Sequence, residues 1–395
     1  LKKYIFLLLL IFLYPLIISA EEPLWIERWV KKYDSGTNEY STGLVIDNNE
    51  NVYICGRKYN GTNYDFLTLK YDSEGDLKWE RTYNGGNDDG ANDITLDKDG
   101  NVYVAGYRNY NSLNDYCFIK YSPDGVAAYT QLNGANDLTN QTAYGIAVDD
   151  NYNIYITGQR VFINPPSAGG FTWNHYCTIK YNSTLISEWT QVNFGVSTPS
   201  YTLSCAYDIA LDNDNNIYIT GKQNDYFLNY YVSTIKYSDN GNFLWEESFT
   251  IGGGRSQSCY TIDIDNDNYI YISGEIEPIA YSTRECLTIK YDNNGNQQWV
   301  IRDQHPYLGM GPMTNLHFNS LSIDNIGGIY LTGQNNPVGI YTSKYDANSN
   351  IILTEEKTNA SVGNGIDISP SGNIYIVGDK NNGKDNDIII IKYLE

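Results

Sequence analysis

The sequence predicts an all-β fold: a seven-bladed β-propeller of four-stranded blades, closed by the N-terminal strand joining the C-terminal blade. Three observations predict it. One six-residue phrase recurs seven times, a second phrase follows each copy, and the final unit lacks a strand that is found at the other end of the chain.

The first phrase is Asn51–Gly56 (NVYICG), then Asn101–Gly106 (NVYVAG), Asn153–Gly158 (NIYITG) and Asn216–Gly221 (NIYITG). Tyr269–Gly274 (YIYISG), Gly328–Gly333 (GIYLTG) and Asn373–Gly378 (NIYIVG) complete the series. Each follows a short apolar segment ending in Asp47, Asp97, Asp149, Asp212, Asp265 or Asp324, with Ser369 in the seventh unit. The second phrase, apolar-Thr-Ile-Lys-Tyr in outline, carries Lys70, Lys120, Lys180, Lys236, Lys290, Lys344 and Lys392. Nine residues beyond the first six of these come Trp79, Tyr129, Trp189, Trp245, Trp299 and Leu353. The seventh unit ends before it can supply such a residue. Trp29, however, precedes Asp47 by eighteen residues, as Trp79 precedes Asp97. The first strand therefore completes the last blade.

Each unit reads as four strands, A to D, rich in Ile, Val, Tyr and Thr and separated by Asn, Asp and Gly. Strands A and B are apolar at nearly every position, which suits sheets covered on both faces. Helical periodicity is absent. Residues 21–395 therefore form a single propeller domain, although a chain of this length would ordinarily suggest two or more. Residues 1–20 read as a signal peptide: Lys2 and Lys3, an apolar run from Ile5 to Ile18, then Ser19 and Ala20. The expected location is secreted or periplasmic, with no membrane insertion after signal cleavage.

The chain has 26 basic and 47 acidic residues, a net charge of −21, and loss of Lys2 and Lys3 would make it −23. Such a surface repels phosphate backbones and argues against nucleic acid as a partner.

Spacing separates two faces. From the Asp of strand A to the Gly of strand B is nine residues in every unit, so the A–B and C–D turns are uniform and share one face. The gap from Gly to Lys runs from eleven to twenty-two residues, and from Lys to the next Asp it reaches thirty-four. All variation thus falls on the B–C and D–A loops of the opposite face, where propellers generally bind. On that face a long third-blade B–C loop, residues 159–175, carries Phe162, Trp173 and His175, and the loop before the sixth blade carries His305, Tyr307 and His317. No HxH, HExxH or His–carboxylate motif supports a metal or catalytic role for these histidines. Residues just before strand A should line the mouth of the central channel: Thr42, Asn92, Asp93, Tyr144, Tyr207, Asp208, Tyr260, Asn319 and Asn364. Tyr with Asn and Asp around a cleft is chemistry suited to sugar hydroxyls.

Runs such as Asp97-Lys-Asp99 and Asp212-Asn-Asp214 echo a Ca²⁺ loop but lack the bidentate Glu that would complete one, so Asx-turns account for them better. No cofactor is expected, Ca²⁺ being the one ion left open, and no metal site is assigned. Of six cysteines, Cys205, Cys259 and Cys286 lie where one disulfide is conceivable. The seven Lys-Tyr pairs recur too often to be a catalytic site and are expected to make a repeated bond between strands or blades.

The pattern I-x-[LVI]-D-x-x-x-N-[IV]-Y-[IV]-x-G, followed by T-I-K-Y and Trp, resembles the SBBP-type β-propeller repeat over essentially all of residues 24–395. That resemblance implies an exported or surface protein of bacteria and brings no catalytic motif with it. The expected function is a non-enzymatic binding module, a monomer recognising a glycan or a protein on its variable face. The alternative is a secreted carbohydrate-active enzyme, a lyase or hydrolase, using carboxylates such as Asp93 and Asp208 at the channel mouth.

Overall fold

The computed structural model describes residues 25–133, 139–163, 172–193, 203–224, 229–252, 256–277, 284–303, 315–336, 339–358 and 360–394. The segment read as a signal peptide lies outside them, as do His305 and Tyr307. Among the described residues, strands β1 to β28 form seven four-stranded antiparallel sheets and no helix is present. Blade 1 is typical: β2 (Glu39–Ile46), β3 (Val52–Tyr59), β4 (Tyr64–Tyr71) and β5 (Leu77–Tyr83) are its strands A to D, paired in that order. The last blade differs. Its strands β26 (Val362–Ile368), β27 (Ile374–Asn381) and β28 (Asn386–Leu394) are completed by β1 (Ile26–Tyr33), which pairs antiparallel with β28 from Ile26–Leu394 to Tyr33–Ile388.

The core lies between blades. Seven clusters of buried side chains occupy the seven blade interfaces; one joins Ile54 and Leu67 of blade 1 to Val377, Ile388 and Ile390 of the last blade. Strands B and C are buried through their centres, which is why they read as apolar on both faces. Strand A departs from that reading. Its residues alternate between buried and half-buried, because one of its faces looks into the channel.

The repeated phrases build a bond network on the uniform face. Asp47 accepts the N–H groups of Asn49 and Asn51, an Asx-turn that recurs with Asp97, Asp149, Asp212, Asp265 and Asp324. The phrase Tyr donates to the same Asp, as Tyr53 does to Asp47 at 3.1 Å and Tyr218 to Asp212 at 2.9 Å. The strand C Lys lies over that Tyr ring in all seven blades, 4.7–5.3 Å from its centre. At four interfaces this Lys and the strand D Trp donate to one carbonyl in the next blade's C–D turn. Lys70 and Trp79 meet Pro123 O at 3.0 and 3.1 Å, and Lys392 and Trp29 meet Ser73 O across the closure.

The seventh blade has Ser369 in place of Asp, and a residue of blade 1 makes good the loss. Glu50 accepts bonds from Tyr375 Oη at 2.7 Å, Lys392 Nζ at 2.8 Å and Asn373 Nδ2 at 2.9 Å. Partial burial opposes its ionisation, but the bonds from Lys392, Ser371, Tyr375 and Asn373 outweigh it and hold the carboxyl down at about 2.

Two loop readings are corrected. Residues 159–163 and 172–175 are strand, not loop: Phe162 pairs with Trp173 and Arg160 with His175, so a β-ribbon extends blade 3. His317 likewise lies in a strand, β22 (Asn315–Ile323). The disulfide left open among Cys205, Cys259 and Cys286 is not formed, and all six cysteines are buried outside any disulfide. Burial pushes the Cys177 thiol up to about 11 and that of Cys205 to about 12.

Glu50→Ala should cost about 2 kcal/mol in urea unfolding, in line with charged hydrogen bonds of this exposure, whereas Glu74→Ala on an exposed turn should change nothing measurable. The Glu50 contribution comes from a lowered carboxyl, so it should be complete above the unfolded value and be lost as pH falls through about 2. A thiol reagent should modify no cysteine in the native chain and all six after denaturation.

Candidate functional site

The channel mouth is made by one repeated backbone irregularity. Every strand A has a β-bulge five residues before its turn Asp or Ser, at Thr42, Asn92, Tyr144, Tyr207, Tyr260, Asn319 and Asn364. A bulge re-aims its side chain, here into the channel. The invariant Gly of strand B is the complement of that bulge. A Cβ on Gly56 would fall on Tyr40 O, and one on Gly221 on Cys205 O, with the same clash in the other five blades.

These seven residues line one cavity of about 210 Å³ together with Asp93, Asp208 and others, so all nine residues read as the channel mouth meet there. Its wall has two arcs. On blades 3 to 5, Tyr144, Tyr207 and Tyr260 form a continuous edge-to-face series with centroids 5.6 and 5.1 Å apart. On the remaining blades the bulge residues clasp the next blade. Thr42 donates to Ala91 O at 3.0 Å, Asn92 to Ala143 O at 2.6 Å, Asn319 to Gly363 O at 3.0 Å and Asn364 to Ser41 O at 3.0 Å. Tyr260 Oη donates to Glu275 at 2.5 Å, and Glu275 is in turn paired with Arg284 at 2.5 Å.

A second cavity of about 300 Å³ shares Thr42, Asn92 and Asn364 with the first and opens between Tyr40, Arg57 and Tyr107. Arg57 lies between the Tyr40 and Tyr64 rings, 5.0 and 4.9 Å from their centres. Nothing in the sequence spacing singled out this extension.

The channel wall carries four carboxylates, two of them, Asp93 and Asp208, at the mouth itself. Strand A is the inner edge of each sheet, and its channel-side N–H groups need acceptors. Asp93 accepts from Ile146 of the next blade at 2.8 Å, Asp208 from Ile262 at 2.9 Å, Asp263 from Ile323 at 3.0 Å and Asp367 from Ile46 at 2.9 Å. Burial is the largest influence on all four and raises them, Asp93 and Asp367 to about 6 and Asp263 to about 7. Asp208 is raised well above the usual range by burial and then by the charge of Asp93. Each is half-buried, touching the channel on one side with protein on the others. Asp263 and Asp367 escaped the sequence reading; their signal was a single acid interrupting an otherwise apolar strand A.

The other expected ligand residues do not join the mouth. Trp173 and His175 belong to the blade 3 ribbon, where His175 is buried, its ring 5.7 Å from Phe162, and burial lowers it to about 4. In the Asp-rich A–B turns, the carboxylates are occupied by backbone N–H groups, Asn side chains and Tyr hydroxyls. No helix among the described residues is long and apolar enough to cross a membrane.

Solved structures share this architecture. The WD40 repeats of RRP9 match with a TM-score of 0.61 at 11% identity, over 94% of this chain and 99% of that one. The chain is a seven-bladed β-propeller. The WD40 propeller of Doa1 follows with 0.56 at 10%, covering 94% and 97%. An inactive variant of virginiamycin B lyase from Staphylococcus aureus, solved with quinupristin, gives 0.54 at 12%, covering 93% and 99%. At these identities the likeness shows the fold alone. No protein-family model matches the chain, and no curated protein does.

The raised carboxylates make folding pH-dependent. Between about pH 4 and 7 the folded chain keeps protons that the unfolded chain has released, so stability falls as pH rises through that window. The melting temperature should therefore drop by several degrees from pH 5 to pH 8 at constant ionic strength. Asp208→Asn, which keeps one acceptor oxygen, should flatten that slope and raise the melting temperature at pH 8.

Proposed function

We propose that this chain is an exported, non-enzymatic binding propeller of the SBBP type whose channel mouth takes one sugar ring of a glycan. The observation that carries this reading is the arc of Tyr144, Tyr207 and Tyr260 facing Asn92, Asn319 and Asn364 across about 210 Å³. Drug-sized ligands generally need about 300–1,000 Å³, so this space suits one ring rather than a large cofactor. Tyr rings offer apolar faces to the C–H side of a pyranose. Each of the three Asn clasps uses Nδ2, which leaves Oδ1 to accept a hydroxyl. The neighbouring cavity around Arg57 gives a second ring somewhere to go. The signal-like residues 1–20 and the acidic surface suit a location outside the cytoplasm.

A second reading, a lyase or hydrolase, is favoured by one observation: Asp93 and Asp208 lie close enough to interact, and Asp208 is shifted the further. Each also accepts two backbone N–H bonds, one from the next residue of its own strand and one from the adjacent blade, and that structural duty accounts for both acids without chemistry.

Glycan-array screening of the full chain followed by calorimetric titration tests the first reading. Tyr207→Ala should weaken binding of an array hit at least tenfold while the melting temperature stays close to wild type, because the truncated side chain faces channel water rather than a dry core. Incubation of the hit with protein should yield no new product by mass spectrometry. Product that disappears with Asp208→Asn would favour the enzyme, and an array without hits would turn the reading towards a protein partner.

A further inference from the structure

We propose that the seam where the ring closes binds Ca²⁺ through Asp34, Glu39 and Asp387. The three acids come from the three segments that meet there: the loop after β1, the first residue of blade 1 and strand C of the last blade. One carboxylate oxygen from each lies within 4.8 Å of the others, and Glu39 and Asp387 are both 0% exposed. That spacing matches oxygens sharing a single cation.

Asp387 supplies the second, independent observation. Its Oδ2 accepts Lys32 Nζ at 3.1 Å and Asn382 Nδ2 at 2.9 Å, but its Oδ1 is buried with no hydrogen-bond partner among the described residues. A buried carboxylate oxygen without a donor is rare and costly. Equivalent acids elsewhere in the repeat take donors too, as Asp387 does on Oδ2, but none of them has a fully buried oxygen left over among the described residues. Asp65 takes Asn60 Nδ2, Asp115 takes Arg108 and Glu285 takes Arg302, while Asp89, the counterpart of Glu39, takes Gly85 N–H and Asn109 N–H on its two oxygens. Among the described residues, Asp387 at the seam is the strand C acid that keeps a buried oxygen without a donor.

Charge points the same way. Lys32 Nζ sits between Asp34 Oδ2, at 2.6 Å, and Asp387 Oδ2, and the charge of Lys384 reaches Asp34 from further off, so the three carboxylates still outnumber the ammonium groups beside them. The Lys32 side chain is 46% exposed and can swing into solvent when a divalent ion takes its place. Gly36, with φ of 84°, turns the loop so that Asp34 and Glu39 face one centre, and the Thr37 hydroxyl stands 2.8 Å from Glu39 Oε1. An all-oxygen set with adaptable loop donors selects Ca²⁺ over Zn²⁺, and over the stricter octahedron of Mg²⁺. The bound ion would tie the closing strand to both blades it joins.

The test is thermal unfolding of the full chain, stripped with EDTA and titrated with CaCl2, beside Asp34→Asn, Asp387→Asn and Lys32→Ala. Wild type should gain about 3 °C at a free Ca²⁺ concentration about a hundred times its Kd. Asp34→Asn and Asp387→Asn should abolish the gain. Lys32→Ala should shift its midpoint to at least tenfold lower Ca²⁺, because ammonium and ion compete for the same oxygens. If Asp387→Asn does not fold, Asp34→Asn decides, since Asp34 is partly exposed. No gain in wild type at millimolar Ca²⁺, an equal gain in either Asp variant, or an unmoved midpoint in Lys32→Ala would each overturn the proposal.

Discussion

Closure of the ring is the constraint on which everything else rests. A four-stranded blade has two apolar faces and too little chain to cover either, so each face is buried only by a neighbour. The seven core clusters lie between blades, and every one includes residues from two of them. An open array would leave one face exposed at each end. Pairing of β1 with β28 removes both ends at once and lets Trp29 and Lys392 make the same latch to Ser73 O that Trp79 and Lys70 make to Pro123 O.

The latches are concentrated on the uniform face, and that concentration frees the other. Turn Asp, phrase Tyr, strand C Lys and strand D Trp form a chain of polar contacts that cannot tolerate a change in turn length. Glu50 illustrates how strictly the network is kept: where the repeat has lost its Asp at Ser369, an acid from the adjoining blade receives the same Tyr and Lys. With the blades held from below, loops and ribbons on the opposite face can vary without loosening the ring.

The central channel combines two demands in the same strands. Strand A must bulge to bring its side chains inward, which is why the facing Gly has no room for a Cβ. It must also satisfy the N–H groups of an inner edge, and acids at Asp93, Asp208, Asp263 and Asp367 do so at the cost of holding half-buried carboxylates near one another. A mouth built this way is rigid, polar on one arc and aromatic on the other. Both properties come from bonds that hold the fold together.

Architecture was almost wholly legible in the sequence, because it depends on local periodicity. The phrase fixes strands A and B, the Lys-to-Trp spacing fixes C and D, and the stranded Trp29 tells which blade it completes. The residues at the mouth were legible for the same reason, since position in the repeat sets position in the ring. Length alone misled: within the long stretch read as a loop, residues 159–163 and 172–175 pair as a ribbon, because β-pairing runs on wherever two segments face each other, and no spacing rule reports that. Contacts between blades were not legible either. The grouping of Tyr144, Tyr207 and Tyr260 into one arc, the inter-blade bonds of the channel acids and the bond of Lys32 to Asp387 all join residues tens to hundreds of positions apart. Sequence by itself determined the repeat, the blade count and which residues face the channel, whereas only tertiary structure decided their partners, since distance through space depends on how the ring shuts.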